Sequence, residues 1–246
     1  MSLSWSTRRK LIYIGLLAVP AVLLGGYLIW QFYQPPTCFD GEQNQDERGI
    51  DCGGSCERVC QDLTQSAGAR WARSFNVSGS IYNSVAFIEN PNVNLRAENV
   101  PYEFTMHGGP EGRIVAQREG AVDIPPRSVF AVFEPSIDTG GTEVRRTTFQ
   151  FLEAPFWEEE NTEEPKPQVA QTRLQNLRTD PRVDVVVRNP SLDTMKEIEL
   201  VVILFSDDGN AVHTSRTVIS EIQSESARNA VFTWPEGFSE NVVRAT

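Results

Sequence analysis

The chain has 246 residues, with 22 Lys and Arg against 33 Asp and Glu, a formal net charge of −11, and 40% hydrophobic residues. This is the composition of a folded protein with room for one large or two ordinary domains, and it excludes a disordered chain. The acidic balance argues against a nucleic-acid partner, because phosphate binding needs a basic face.

The charge is unevenly placed. Residues 1–33 carry Arg8, Arg9 and Lys10 and no acid; taking those three from 22 leaves 19 bases against 33 acids after position 33, a net of −14. Leu11 to Trp30, "LIYIGLLAVPAVLLGGYLIW", is a run of twenty uncharged residues. At about 1.5 Å per helical residue it spans a hydrocarbon core of roughly 30 Å. Residues 1–10 are therefore expected as a cytoplasmic basic tail and 11–33 as a transmembrane helix in the lipid bilayer, the basic cluster holding the N-terminus inside. Trp5 on one side and Tyr27, Trp30, Phe32 and Tyr33 on the other suit the aromatic belts of the two interfaces. A cleaved signal peptide has a shorter apolar region and an Ala-x-Ala-like site, and neither occurs here, so the helix is expected to be retained. A type IV pilin stem is excluded because no acid lies in positions 1–33.

Residues 34–62 form an acidic neck holding all four cysteines, spaced Cys38-x13-Cys52-x3-Cys56-x3-Cys60. Outside the membrane such a cluster makes two disulfides, in one of three connectivities that sequence does not distinguish. Zinc is the weaker reading, because its usual sites use two CxxC-like knuckles set well apart. Asp40, Asn44, Asp46, Glu47 and Asp51 fall within twelve residues among the turn formers Gly41, Gly49, Gly53 and Gly54. Calcium takes six to eight such oxygens from a flexible loop, although the EF-hand spacing is missing. The other reading is that these side chains cap turns and solvate the ribbon. The stretch "CFDGEQNQDERGIDCGG" resembles the Cys-x-Asp-Gly-x-x-Asn-x-x-Glu-x-x-x-Asp-Cys-Gly-Gly module of bacterial exported and surface proteins. Asp40, Gly41, Asn44, Glu47, Asp51, Cys52, Gly53 and Gly54 fall on that pattern, and the resemblance implies an exported, stapled fold with no activity attached.

From Phe75 onward short alternating runs between Gly, Pro, Asn and Asp predict antiparallel sheets. Val100, Tyr102, Phe104 and Met106 alternate with polar neighbours and Pro101, as do Val183, Val185 and Val187 with Asp184, Val186 and Arg188. The same order of features occurs twice. Asn90-Pro91 returns at Asn189-Pro190, Gly112 at Gly209, Ile124 at Ile222 and Phe133 at Phe232, a shift of 97 to 99 positions throughout. The expected fold is mainly β: a transmembrane helix, a short disulfide-stapled neck and two tandem immunoglobulin-like antiparallel β-sandwiches, residues 63–157 and 168–246, joined by an acidic Pro-containing linker at 158–167. "LFSDDGNAV" at 204–212 and "IPPRSVFAVF" at 124–133 resemble the FxLYD-like family of bacterial envelope β-sandwiches. The first copy departs from that pattern at "MHGGPEGRIV", and the resemblance implies a fold and an exported location with no catalytic residue.

An enzyme is not expected. His107 and His213 each stand alone beside a hairpin, and no Gly-x-Ser-x-Gly, His-Glu-x-x-His or phosphate-cradling loop occurs. Glu158, Glu159 and Glu160 read as a solvated charge run. Trp71, Trp157 and Trp234 offer a sugar-stacking platform only if the fold brings them together; as core or rim residues they do not. The functional expectation is a single-pass, envelope-anchored binding or structural protein with an envelope protein as partner, no cofactor unless calcium, and residues 34–246 outside the cytoplasm. A calcium-responsive stalk and a ligand-free spacer are the alternatives.

Overall fold

The computed structural model describes residues 5–32, 37–44, 46–160 and 165–246, which fall into two bodies, Met1–Cys56 and Glu57–Thr246. In the first, Trp5–Phe32 forms one helix, α1, with Pro20 inside it. Its stretch Thr7–Gln31 has a mean hydropathy of 2.2 over an 18-residue window and is 25 residues long. That length is about 38 Å at the helical rise, enough to cross a bilayer core. Its apolar side chains point outward, Leu17 and Val22 with more than 70% of their surface uncovered. Such exposure is costly in water and matches lipid. Tyr33, expected as the end of the span, and residues 34–36 of the neck lie outside the described residues.

The second body is built of strands. A 3₁₀ turn at Gln61–Leu63 precedes β1 (Gly68–Ser78), β2 (Ile81–Asn90), β3 (Leu95–Gly108), β4 (Arg113–Ile124), β5 (Ser128–Asp138), β6 (Val144–Phe151) and the two-residue β7 (Glu158–Glu159). There follow β8 (Gln168–Gln175), β9 (Arg182–Arg188), β10 (Met195–Ser206), β11 (Ala211–Ile222), β12 (Ala227–Thr233) and β13 (Val242–Ala245). Sheet β1-β2-β5 faces sheet β4-β3-β6, and sheet β8-β9-β12 faces sheet β11-β10-β13, all antiparallel. Apart from β7, which pairs with β3 and has no counterpart, the strand order of the second sandwich is that of the first. Asn99 in β3 and Glu197 in β10 even share the same left-handed φ of 51°.

Alternation explains each core, since one face of every strand is buried. In the first sandwich Ala86 and Ile88 of β2 and Val132 of β5 meet Tyr102 and Phe104 of β3. Phe149 joins them from β6, its ring 5.1 Å from Phe104 and 5.3 Å from Tyr102. Tyr102 lies directly opposite Gly120, where a Cβ would come within 2.5 Å of its hydroxyl. The bare glycine lets the ring cross β4 and donate to Glu134 Oε1 at 2.7 Å. In the second sandwich Val183, Val185 and Val187 meet Val202 and Leu204.

The two sandwiches are stacked face to face. Val85 and Phe133, on the outer face of β1-β2-β5, are buried against Ile203 and Ala211 of the second sandwich, with Trp71, Phe87 and Phe205 around them. Arg73 crosses the seam to donate to the carbonyl of Ala211 at 3.0 Å. Four sheets therefore form four layers, and the inner two are covered on both faces. The "VVILF" run at 201–205 is the sequence trace of this, because a sheet buried on both sides has no polar alternate.

Two boundaries differ from the sequence expectation. Glu158 and Glu159 are strand β7, paired with Arg96 and Leu95 of β3, and Glu158 accepts from the Arg96 guanidinium at 3.4 Å. They belong to the first sandwich because Trp157, 3% exposed, carries them into its core. Residues 161–164 of the expected linker lie outside the described residues. The last neck residues are likewise part of the sandwich body: Val59 donates its N–H to the Trp157 carbonyl at 2.8 Å, and the backbone of Arg58 lies antiparallel to that of Glu158 in an isolated β-bridge.

Candidate functional sites

The neck is a set of turns held by carboxylates. Asp40 accepts from the N–H of Thr37, the N–H of Glu42 and the side-chain amide of Asn44, at 2.9 to 3.0 Å. Those donors, Thr37 first, hold its carboxyl below the ordinary range. Asp51, itself at φ 52°, accepts from the N–H groups of Asp40 and Gly41. Glu47, 8% exposed, accepts from the N–H of Asn44. Asp46 turns elsewhere, to the Ser55 hydroxyl at 2.8 Å, which lowers its pKa in turn. Of the five expected oxygen ligands the fold thus links Asp40, Asn44, Glu47 and Asp51 in one network and sets Asp46 apart.

All four cysteines are in disulfides, and Cys38 pairs with Cys56. Cys38, Cys56 and Glu47 lie close enough together for a metal. Two sulfurs joined to each other have no thiolate to give, so the trio offers only a carboxylate. Asn44 Oδ1 is shielded from water and has no hydrogen-bond partner. Among the described neck residues it is a buried side-chain oxygen left without a donor, and its own backbone N–H donates to Glu47. Asp40 and Asp51 have spent their oxygens on N–H donors.

The residues weighed for catalysis are dispersed. His107 Nδ1 lies 3.2 Å from the Gly112 carbonyl at the tip of its own hairpin. His213 stacks on Phe238 at 3.8 Å with Nε2 3.3 Å from Glu240. Burial depresses its pKa, and Glu240 opposes that without cancelling it. Trp71 stacks on Phe87 in the seam, Trp157 is in the first sandwich's core, and Trp234 donates to the Thr214 carbonyl in the second. They form no shared platform.

Sequence reasoning found the two Asn-Pro pairs as landmarks and missed what they do. Asn90 and Asn189 are almost fully buried, 2% and 0% exposed. Asn90 donates to the carbonyls of Leu95 and Pro125 and accepts from the N–H and amide of Asn92. Asn189 donates to the carbonyls of Asp193, Ile222 and Gln223 and accepts from the N–H and hydroxyl of Ser191. In each half the amide ties the turn after one strand to the end of a hairpin strand more than thirty residues on. The signal available in the sequence was the recurrence itself.

The open side of the second sandwich also has the form of a site. A cleft of about 230 Å³ runs between β8 and β10, lined mainly by Val169, Val185, Leu200, Val202 and Phe232. Its lining is almost wholly apolar, and Val169 is 61% exposed at its rim.

Fold and sites together describe a β-sandwich protein with one helix long and apolar enough to cross a membrane and a disulfide-closed neck. No family model matches the chain, and no curated protein matches it. Among solved structures, the crystal structure of a red sea bream transglutaminase is similar over 71% of this chain and 28% of that one, at 9% identity and a TM-score of 0.25. Likeness at that level carries no argument.

Proposed function

We propose that the chain is a single-pass, envelope-anchored protein that holds a binding or structural module outside the cytoplasm, as a subunit or accessory of an envelope assembly. The observation that carries this reading is the order of three features: a basic cluster, an apolar span, and then a chain whose every cysteine is oxidised. Positive charge at Arg8, Arg9 and Lys10 favours a cytoplasmic N-terminus, and disulfides persist in oxidising compartments. The resemblance of the neck to a bacterial surface module supports a bacterial envelope. The repeated strand order supports a duplicated domain, and a β-sandwich acts most simply through its edges and loops, by binding rather than catalysis. To test this, the C-terminus is tagged in the native cell, intact cells are treated with protease, and cross-linked material is extracted in mild detergent. Protease-accessible tag and a stoichiometric co-purifying protein are expected. A protected tag refutes the orientation, and the absence of any partner refutes the binding role in favour of a spacer.

A calcium-responsive stalk is the second reading, favoured by the unpartnered Asn44 Oδ1 beside buried Glu47. Calorimetric titration of the full chain decides it: heat that disappears in Asn44→Ala supports calcium, and no heat up to millimolar calcium removes it.

A further inference from the structure

The duplicated fold makes each sandwich a template for the other, and along β1 and β6 the first departs from its twin. Strand register sets the equivalences. Ser74 pairs with Ser84 as Leu174 pairs with Val183, and Thr147 lies opposite Met106 as Ala245 lies opposite Leu204. Three hydroxyls thus stand where the second sandwich has apolar side chains. Ser84 is 0% exposed, as is Val183. Its Oγ lies 2.7 Å from Ser74 Oγ, which lies 2.6 Å from Thr147 Oγ1. Polar groups at core positions cost stability unless they are hydrogen-bonded, so packing alone does not ask for them. The chain of hydroxyls also has a direction. Ser84 has no other hydrogen-bond partner for its hydroxyl among the described residues, so it donates to Ser74, Ser74 donates to Thr147, and the Thr147 hydrogen is left to point outward.

Thr147 opens on a groove of about 460 Å³ between β1 and β6, which Arg73, Arg145 and Arg146 also line. Arg145 reaches it through a β-bulge. Val144 lies opposite Gly108 and Arg146 opposite His107, so Arg145 is an extra residue that breaks the alternation, and two successive arginines line one groove. Gly108 makes the room: a Cβ there would come within 2.3 Å of the Glu143 carbonyl oxygen. The second sandwich has the same bulge, with Val243 as the extra residue between Val242 and Arg244. The bulge therefore belongs to the fold, and the charge on it to the first sandwich alone. Arg73 is fixed across the seam, donating to the Ala211 carbonyl at 3.0 Å and to Asn210 Oδ1 at 3.4 Å, with the rest of its N–H fork unspent. Its counterpart Arg173 lies opposite Asp184, whereas Arg73 lies opposite Val85. Among the described residues no carboxylate oxygen comes within 4.0 Å of the Arg73, Arg145 or Arg146 guanidinium.

We propose that the groove between β1 and β6 is an anion site for a phosphate group, gripped by Arg73, Arg145 and Arg146 with the Thr147 hydroxyl as a further donor. Every charged side chain that lines it is a cation, in a chain whose net charge is −11. A carboxylate is planar, and a single guanidinium fork meets both of its oxygens. A phosphate monoester carries nearly two charges and has three terminal oxygens, so it takes donors from several directions. Here they come from two strands and from the head of a hydroxyl chain. The bound charge also relieves the mutual repulsion of three guanidiniums. The volume leaves space for the group that carries the phosphate. A lipid headgroup and a soluble phosphate offer this same chemistry. The site goes beyond the binding role proposed above, because it takes a small anion whether or not a protein partner is bound.

The test titrates the full chain in uncharged detergent micelles with inorganic phosphate, at constant ionic strength in chloride, and follows the amide resonances of Arg145 and Thr147. Saturable shifts at millimolar phosphate or below are expected, with acetate binding about tenfold more weakly. Arg145→Val and Thr147→Ala give the first sandwich the residues of the second, so both should fold with an unchanged or higher melting temperature. Arg145→Val should weaken phosphate binding by about tenfold or more, the worth of one charge-assisted bond. Thr147→Ala should weaken it by a smaller factor. Arg173→Val removes the same charge from the second sandwich and should leave binding unchanged. Competition by glycerol phosphate points to a soluble source, and shifts that need phosphatidic acid in the micelle point to a lipid one; either upholds the site. No saturable shift at millimolar phosphate or phosphatidic acid, equal affinity for acetate, or equal responses to Arg145→Val and Arg173→Val overturns it. The envelope reading stands or falls separately, by the accessibility of the tag and the partner that co-purifies.

Discussion

Replacing Asn189 by Ala tests the claim that a buried amide holds the second sandwich's turns together. Its Oδ1 accepts two hydrogen bonds from Ser191, and its two Nδ2 hydrogens are shared among three carbonyls, those of Asp193, Ile222 and Gln223. Removing them deletes about four bonds at roughly 1 kcal/mol each. The expected loss is about 4 kcal/mol, a large part of the 5–15 kcal/mol typical of a domain. The assay is urea unfolding of the full chain in micelles, followed by tryptophan fluorescence. Asn90→Ala, with its own four bonds, should cost about the same in the first sandwich. Asn189→Asp sharpens the test. It keeps the two bonds from Ser191 but sets a carboxylate against three carbonyls, so its folded pKa rises above the unfolded value of about 3.9. The folded state then binds the extra proton, so stability is present below pH 4 and is lost as pH rises through the folded pKa. A loss below about 1 kcal/mol for Asn189→Ala, or a flat pH profile for Asn189→Asp, refutes the reasoning.

Three further outcomes are expected. His213 is held below its ordinary pKa by burial, so the folded state binds fewer protons than the unfolded one. Its stability contribution is complete above about pH 6.5 and is lost as pH falls through the folded pKa; His213→Gln should flatten the stability profile between pH 5 and 7, measured by urea midpoint. Val85→Ala and Ile203→Ala, in the seam between the sandwiches, should show a coupling of about 0.5–1 kcal/mol in a double-mutant cycle; strict additivity means that the layer is not shared. The native chain should react with no thiol reagent, and Cys38→Ser, which opens a bridge of sequence separation 18, should cost the neck about 3 kcal/mol, read as faster amide exchange at Asp40 and Gly41 with the sandwich amides unchanged.

What was legible in the sequence was whatever a single face of a single element decides. Val183, Val185 and Val187 announce a half-buried strand because only one side of β9 meets the core. The span Leu11–Trp30 announces itself because lipid tolerates no charge there. What was not legible depended on segments far apart meeting. The pairing of Cys38 with Cys56 is one of three options that spacing does not separate. The role of Asn189 needs the carbonyl of Ile222, 33 residues on, to arrive at its amide. The run at 201–205 lacks polar alternates because both faces of β10 are covered, and that needs the two sandwiches to meet at Ile203. Glu158 and Glu159 read as linker because charge runs are usually solvated, and only the burial of Trp157 shows why they are held in a sheet. In the neck, acids suited to a cation turned mostly to backbone N–H groups, which compete for the same lone pairs.

The shared layer between the sandwiches also bears on what a partner feels. Domains joined only by a linker swivel, and each contact made by one is averaged over the positions of the other. Here Val85, Phe133, Ile203 and Ala211 lie in a common seam, so turning one sandwich against the other uncovers apolar surface on both. The pair therefore acts as a bracket of fixed angle: whatever binds the second sandwich takes its orientation from the first, and a torque applied at one is delivered undamped to the other.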